Sequence, residues 1–272
     1  MTRIPNILTI AGVDPSGGAG VVADVKAISA NGGYACAVIA ALTAQNTIGV
    51  TDFCTVAHDF VRKQIDTLFA DVAIDAAKIG MLGAEAVINM VADRLTLWRP
   101  RHLVLDPVMV ARSGDALLEA SAVGALREAL LPLATMITPN LAEAALLLDI
   151  NAPDNLREMT RVAEKLRELM THQGERWVYL KGGRLPGDEA IDLLHDGDRM
   201  IELPARRVNT KNTHGTGCTL SAALATRLPQ AEDVPTAARQ AKTYVTQAIE
   251  HAGALDVGKG NGPVHHFYNF PR

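Results

Sequence analysis

Cysteine is scarce. Cys36, Cys54 and Cys218 are the three in a chain of 272 residues, an odd number without paired spacing. That argues against a disulfide framework and suits a reducing cytosol. Aromatic residues make up only 4% of the chain. The core therefore has to be aliphatic, and ring platforms for stacking nucleic-acid bases are not expected. Neither sign of charge dominates: 26 Lys and Arg face 30 Asp and Glu, for a net charge of −4. A nucleic-acid or polybasic membrane partner is not expected from such a balance. The most apolar stretch, Tyr34 to Ala44, falls short of the ~20 residues a membrane-spanning helix needs. At the start of the chain Asp14 arrives before any adequate apolar leader segment.

What is present is enough apolar material for a sizeable core. Hydrophobic residues are 48% and charged residues 21%, which excludes wholesale disorder. We expect one soluble, cytoplasmic domain over residues 1–272.

Short apolar runs alternate with longer amphipathic ones. Strands are expected at Ile7–Ala11, Ala35–Ala41, Ala77–Gly80, His102–Leu105, Thr135–Ile137 and Trp177–Leu180. Helices are expected at Val21–Asn31, Phe60–Phe69, Glu85–Trp98, Ser121–Leu131, Leu141–Leu148, Leu156–Thr171, Thr216–Arg227 and Val234–His251. Ala190–His195 and Met200–Leu203 read as a small antiparallel edge hairpin. The loop-rich stretches are Asp106–Asp115 and Gly183–Glu189, and Gly258–Arg272 reads as an ordered loop plus tail. Repeated strand–helix units imply an α/β fold with a central, mostly parallel sheet flanked by helices on both faces. Ligands of such sheets sit beyond the C-terminal ends of the strands, which focuses attention on the polar residues that follow each apolar run.

The strongest local signal is Asn212-Thr213-His214-Gly215-Thr216-Gly217-Cys218, running directly into a helix. Gly215, Thr216 and Gly217 let backbone N–H groups converge where the helix start adds a positive field, which makes an anion hole for a phosphoryl group. Cys218, in the first helical turn, can have a lowered pKa and then accept a proton from a substrate hydroxyl, or merely position that hydroxyl. An ordinary glycine turn with a small buried Cys fits the spacing equally well. Gly17-Gly18-Ala19-Gly20 is a second glycine loop, or simply a tight strand-to-helix turn. Neither a P-loop nor a dinucleotide fingerprint occurs.

Asn140-Leu141-Ala142-Glu143 fits a capping box, and equally a carboxylate holding Mg²⁺ through water. Asp106 ends a very apolar strand, so it has to be paired, hydrogen-bonded or near a cation. Lys181, before Gly182-Gly183, is either a phosphate ligand or a solvated turn residue. His265-His266 lacks further ligands at metal spacing and reads as tail. Cys36 reads as core.

Together these motifs resemble the ribokinase-like superfamily, and within it the hydroxymethylpyrimidine/phosphomethylpyrimidine kinases of thiamine biosynthesis. The resemblance covers essentially the whole chain. It rests on an ordered set: Ala11-Gly12-Val13-Asp14-Pro15-Ser16-Gly17-Gly18-Ala19-Gly20, Leu42-Thr43-Ala44-Gln45-Asn46, Lys78-Ile79-Gly80-Met81, Leu105-Asp106-Pro107-Val108-Met109, Thr138-Pro139-Asn140-Leu141-Ala142-Glu143, Lys181-Gly182-Gly183 and the Cys218 motif. It implies ATP-dependent phosphorylation of 4-amino-5-hydroxymethyl-2-methylpyrimidine and of its monophosphate. By the same resemblance Gln45 would hydrogen-bond the pyrimidine, with Gly12 and Asp24 helping, and Met81 and Val108 would cover its faces. Asp106 and Glu143 would organise Mg²⁺; Asn140, Lys181 and Lys211 would approach the ATP phosphates. A homodimer is also implied. Sugar kinases of the superfamily carry Asp where this chain has Cys218. Two other functions compete: a pyridoxal or pyridoxine kinase of the same fold, and a non-catalytic ligand-binding module.

Overall fold

The computed structural model describes residues 3–109, 120–171 and 173–270. Among these, the strands form one nine-stranded sheet. They are β1 (Asn6–Val13), β2 (Tyr34–Gln45), β3 (Val50–Thr55), β4 (Ala76–Ile79), β5 (His102–Leu105), β6 (Met136–Ile137), β7 (Trp177–Leu180), β8 (Asp192–His195) and β9 (Met200–Leu203). The helices are α1 (Gly20–Ala30), α2 (His58–Phe69), α3 (Glu85–Trp98), α4 (Ala120–Ala125), α5 (Leu141–Leu148), α6 (Leu156–Glu168), α7 (Thr216–Arg227) and α8 (Val234–Glu250).

The sheet order is β3-β2-β1-β4-β5-β6-β7-β8-β9. Strands β2, β1, β4, β5, β6 and β7 pair in parallel, while β3, β8 and β9 join as antiparallel edges. The chain runs outward from β1 to β2 and then returns to place β4 on the other side of β1. This reversal opens a crevice beyond the C-terminal ends of β1 and β4.

Strand side chains alternate between two aliphatic layers. Leu8, Ile10, Val178 and Leu180 face a layer built with α2, α3, α5 and α6. Ile7, Ala76, Trp177 and Tyr179 face a second layer built with α1, α7 and α8. Thr9 and Lys78 are register partners on β1 and β4 and interrupt that second face. Lys78 and Asp24 are both fully buried, and the ammonium donates to both oxygens of Asp24 on α1, at 2.8 and 3.0 Å. Thr9 donates to the same carboxylate at 2.6 Å.

The expected elements are present with three differences. Strand β3 escapes sequence reading because Val50-Thr51-Asp52-Phe53-Cys54-Thr55 is half-buried or exposed throughout and carries no apolar alternation. Strand β2 runs on to Gln45 because β3 pairs with its far end. The helix expected over Ser121–Leu131 is broken after α4 into a π-helical turn at Leu126–Leu130 and a 3₁₀ turn at Leu131–Leu133, where Pro132 withdraws an N–H. Of the loop expected at Asp106–Asp115, the part beyond residue 109 lies outside the described residues.

The C-terminal stretch is a strap. Gly260 N–H donates to Thr47 Oγ1, Asn261 N–H to the Thr47 carbonyl, and His214 N–H to the Gly262 carbonyl. His266, read from sequence as tail, is buried, and its Nε2 lies 3.0 Å from Thr219 Oγ1 on α7. Burial pushes its pKa down to about 3.

The unfolded chain binds this proton near pH 6.5 and the folded chain does not, so the stability that His266 contributes is complete above pH 6.5 and is lost as pH falls toward 3. We expect His266→Gln to be less stable than the parent at pH 7. We also expect its loss of unfolding free energy between pH 7 and 5 to be smaller by about 2 kcal/mol. Urea titrations at both pH values measure this, and parallel losses would contradict it.

Candidate active site

Beyond the strand ends lies a cavity of about 830 Å³. Gly12, Val13, Asp14, Thr43 and Gln45 line one side of it, from the ends of β1 and β2. Met81 follows β4, and Asp106 and Val108 follow β5. Asn140 and Glu143 start α5, Lys181 follows β7, and Gly215 to Cys218 start α7. The parallel strands thus deliver residues far apart in sequence to one rim.

Met81 packs with Ala41, Val50, Phe53 and Val108 in a small apolar cluster separate from the two main layers. Gln45 stands beside it and accepts a hydrogen bond from Thr43 Oγ1 at 3.1 Å. The Gly12 N–H donates to the Met81 carbonyl at 3.0 Å, which fixes β1 against the turn after β4. An apolar wall with few polar groups suits a flat ring.

The opposite end is charged. Lys181 Nζ donates to Asp106 Oδ1 at 2.9 Å and lies 3.8 Å from Glu143 Oε2. Asp106 also accepts from Thr138 at 2.9 Å and from Ser221 at 3.3 Å. Burial pushes the Asp106 carboxyl up, but the Lys181 and Lys78 ammonium groups outweigh it and hold the pKa below the ordinary range. Glu143 goes the other way: burial, with the Asp106 charge adding to it, raises its pKa to about 7 against the pull of Lys181. Asn140 and Glu143 do form the capping box of α5, and both line the cavity as well. Among the described residues no group of three or more His, Cys, Asp or Glu is arranged to hold a metal ion. Two carboxylates, with the remaining positions left for phosphate oxygens and water, suit Mg²⁺.

Gly215 starts α7 in a left-handed conformation, φ 74°. A Cβ there would lie 1.7 Å from the Gly18 carbonyl oxygen, so the two loops meet backbone to backbone. Gly217 passes Lys181 closely: a Cβ would lie 3.2 Å from its Nζ and 3.7 Å from Asp106 Oδ2. Thr216 Oγ1 donates to the Thr213 carbonyl at 2.7 Å and tightens the turn.

These features match known proteins. The family model for phosphomethylpyrimidine kinase covers residues 14–265. The hydroxymethylpyrimidine/phosphomethylpyrimidine kinase of Salmonella typhimurium is 50% identical over 268 residues, 98% of this chain and 99% of that protein. The chain belongs to the phosphomethylpyrimidine kinase family. The solved phosphomethylpyrimidine kinase of Clostridium difficile 630 superposes with a TM-score of 0.78 at 37% identity, covering 91% of this chain and all of the other. A pyridoxal kinase from Staphylococcus aureus, solved with AMP-PCP and pyridoxal, gives 0.88 at 30% identity over 98% of this chain and 96% of that one. The ribokinase-like α/β fold is therefore that of this chain too.

Within this family member, Cys218, Gly215, Thr216, Gly217, Gln45, Gly12, Met81, Val108, Asn140, Lys181, Asp106 and Glu143 gather on one cavity. Two expected residues do not. Asp24 is fully buried in its bonds to Lys78 and Thr9 and is not on the cavity wall. Lys211 is exposed and also off the wall, its carbonyl accepting from the Thr213 N–H. The lowered pKa that its helix start allows Cys218 is reversed. Burial pushes the thiol up to about 11, with the Asp24 and Asp106 carboxylates adding to it, and Lys78 and the Gly20 amide only partly offset this.

Sequence reading also missed a polar network on the cavity rim. Lys242 on α8 donates to Asp192 Oδ2 at 2.6 Å, Tyr179 to the same oxygen at 3.0 Å, and the Gly182 N–H to Oδ1 at 2.9 Å. The signal was there: Asp192 interrupts the apolar run Ala190–His195, and Lys242 falls on the buried face of α8 among Ala238, Ala241 and Val245.

Proposed function

We infer that this chain is an ATP-dependent phosphotransferase. It phosphorylates the hydroxymethyl group of 4-amino-5-hydroxymethyl-2-methylpyrimidine, and then the monophosphate, in thiamine biosynthesis. The observation that carries the reading is the shared cavity. Gln45 and the apolar Met81–Val108 wall border the same space as the amides of Gly215–Cys218, so a ring on one side can present its hydroxymethyl oxygen to a phosphoryl group on the other.

In this reading Gln45 orients the ring while Met81 and Val108 cover its faces. Lys181 and Asn140 meet the nucleotide phosphates. Asp106 and Glu143 hold Mg²⁺, which neutralises phosphate charge when bound. Gly215 and Gly217 present N–H groups to the charge that develops on the moving phosphoryl group, whereas the Thr216 N–H is held by the Thr213 carbonyl at 3.3 Å. With a pKa of about 11, Cys218 is protonated at neutral pH and positions the hydroxyl through a hydrogen bond. That suits a loose transition state in which the proton leaves late. One domain, a homodimer and a cytoplasmic location are parts of the same proposal; the first and last rest on length, composition and cysteine usage, the homodimer on the family resemblance.

The pyridoxal kinase reading keeps one observation in its favour, the higher TM-score of the pyridoxal kinase superposition. A side-by-side assay with ATP and Mg²⁺ separates the two. We expect faster turnover of the hydroxymethylpyrimidine. Faster turnover of pyridoxal would reverse the assignment, and no product from either would favour a binding module. Cys218→Ala should lower kcat by at least about tenfold, and Cys218→Ser, which keeps a hydrogen-bonding group, should restore most of it. Unchanged turnover in Cys218→Ala would remove the residue from the reaction. Gln45→Ala should raise KM for the pyrimidine far more than KM for ATP; an equal rise in both would make Gln45 structural.

A further inference from the structure

Asp14 and His214 are 200 positions apart in sequence, and both are buried, at 2% and 7% exposure. His214 Nε2 lies 2.7 Å from Asp14 Oδ2. The same carboxylate accepts from the Ser16 N–H at 2.8 Å and the Ala19 N–H at 2.9 Å, so it also shapes the Asp14–Gly20 loop from within. Burial raises the Asp14 pKa, but the bonds to His214 and Ser16 overcome it and leave the carboxyl below its ordinary value, hence ionised at neutral pH. An ionised acceptor keeps the proton on Nε2 and holds the ring in one orientation.

The ring packs directly against Gly18, where a Cβ would come within 2.2 Å of His214 Cδ2. The next residue, Gly215, is the one whose backbone meets the Gly18 carbonyl. On its other side, the His214 N–H donates to Gly262 in the C-terminal strap. His214 is therefore gripped from two directions immediately before the amide turn, beside the backbone contact of Gly215 with Gly18.

Resting on the kinase reading, we propose that Asp14 and His214 are positioning residues for phosphoryl transfer: their hydrogen bond latches the Asp14–Gly20 loop onto the Gly215–Cys218 turn and fixes where its amides point. Neither side chain has to touch the reacting atoms. The latch acts by setting amide geometry, and a shift of about 1 Å in such donors costs on the order of a hundredfold in rate.

The test is a double-variant cycle on the full chain with ATP, Mg²⁺ and the hydroxymethylpyrimidine, read together with amide hydrogen exchange. His214→Ala is expected to lower kcat about a hundredfold while both KM values stay within about threefold. His214→Gln, which can still donate to Asp14, should recover at least about tenfold of that loss. Asp14→Ala combined with His214→Ala should be no slower than the slower single variant, because one pair is lost once. Exchange at Gly215–Cys218 should quicken at least about tenfold in His214→Ala. Additive losses, no recovery with Gln, or a KM rise matching the kcat loss would overturn the proposal. If His214→Ala does not fold, Asp14→Asn carries the test, and unchanged kcat in that variant overturns the latch. Should the parent chain turn over neither vitamin precursor, the kinase reading fails instead. The exchange measurement then still decides the latch: unaltered protection at Gly215–Cys218 overturns it.

Discussion

Backbone rests directly on backbone where Gly215 meets the Gly18 carbonyl, and the rest of the site depends on that contact. It brings the first βα turn of the sheet against the start of α7, with no side chain between them. The Gly20 amide then faces the Cys218 sulfur, and the amides of the α7 turn open onto the cavity shared with Gln45. A Cβ at either glycine would have to displace backbone or the His214 ring, so the residue type and the geometry imply each other.

Around that contact the molecule concentrates buried charge. Lys78–Asp24 bridges β4 and α1 and Lys181–Asp106 follows the ends of β7 and β5, and in both desolvation costs several kcal/mol per ion unless each is paired. Both pairs add hydrogen bonds from hydroxyls, Thr9 in one case and Thr138 with Ser221 in the other. The low dielectric that strengthens these contacts also works against the Cys218 thiolate.

Specificity rests on much less. Pyridoxal kinases share the sheet, the helices and the overall superposition at 30% identity. In the proposed reading, side chains on the rim, among them Gln45 and the Met81–Val108 wall, choose between substrates. That wall belongs to a small apolar cluster braced by Val50 and Phe53 of β3. It is thus set by the edge strand that was hardest to read from sequence.

Periodicity made the parallel sheet, its flanking helices and most element limits legible, because buried parallel strands are continuous apolar runs and amphipathic helices repeat near 3.6 residues. Helices Glu85–Trp98 and Leu141–Leu148 have the limits read from the residues alone. The glycine motifs and strand-end polar residues marked the cavity because strands of one direction must end on one side. Local pattern could not decide how charges pair across the sheet. Asp24 reads as a substrate ligand by resemblance, but Lys78, 54 positions away, claims its carboxylate. Cys218 could be acidic from its helix start alone, and only the burial around it reversed the sign. Lys211 likewise sits in a telling motif and still stands off the cavity wall. Secondary structure follows from neighbours in sequence, whereas the state of an ionisable group depends on which distant charges and how much protein surround it.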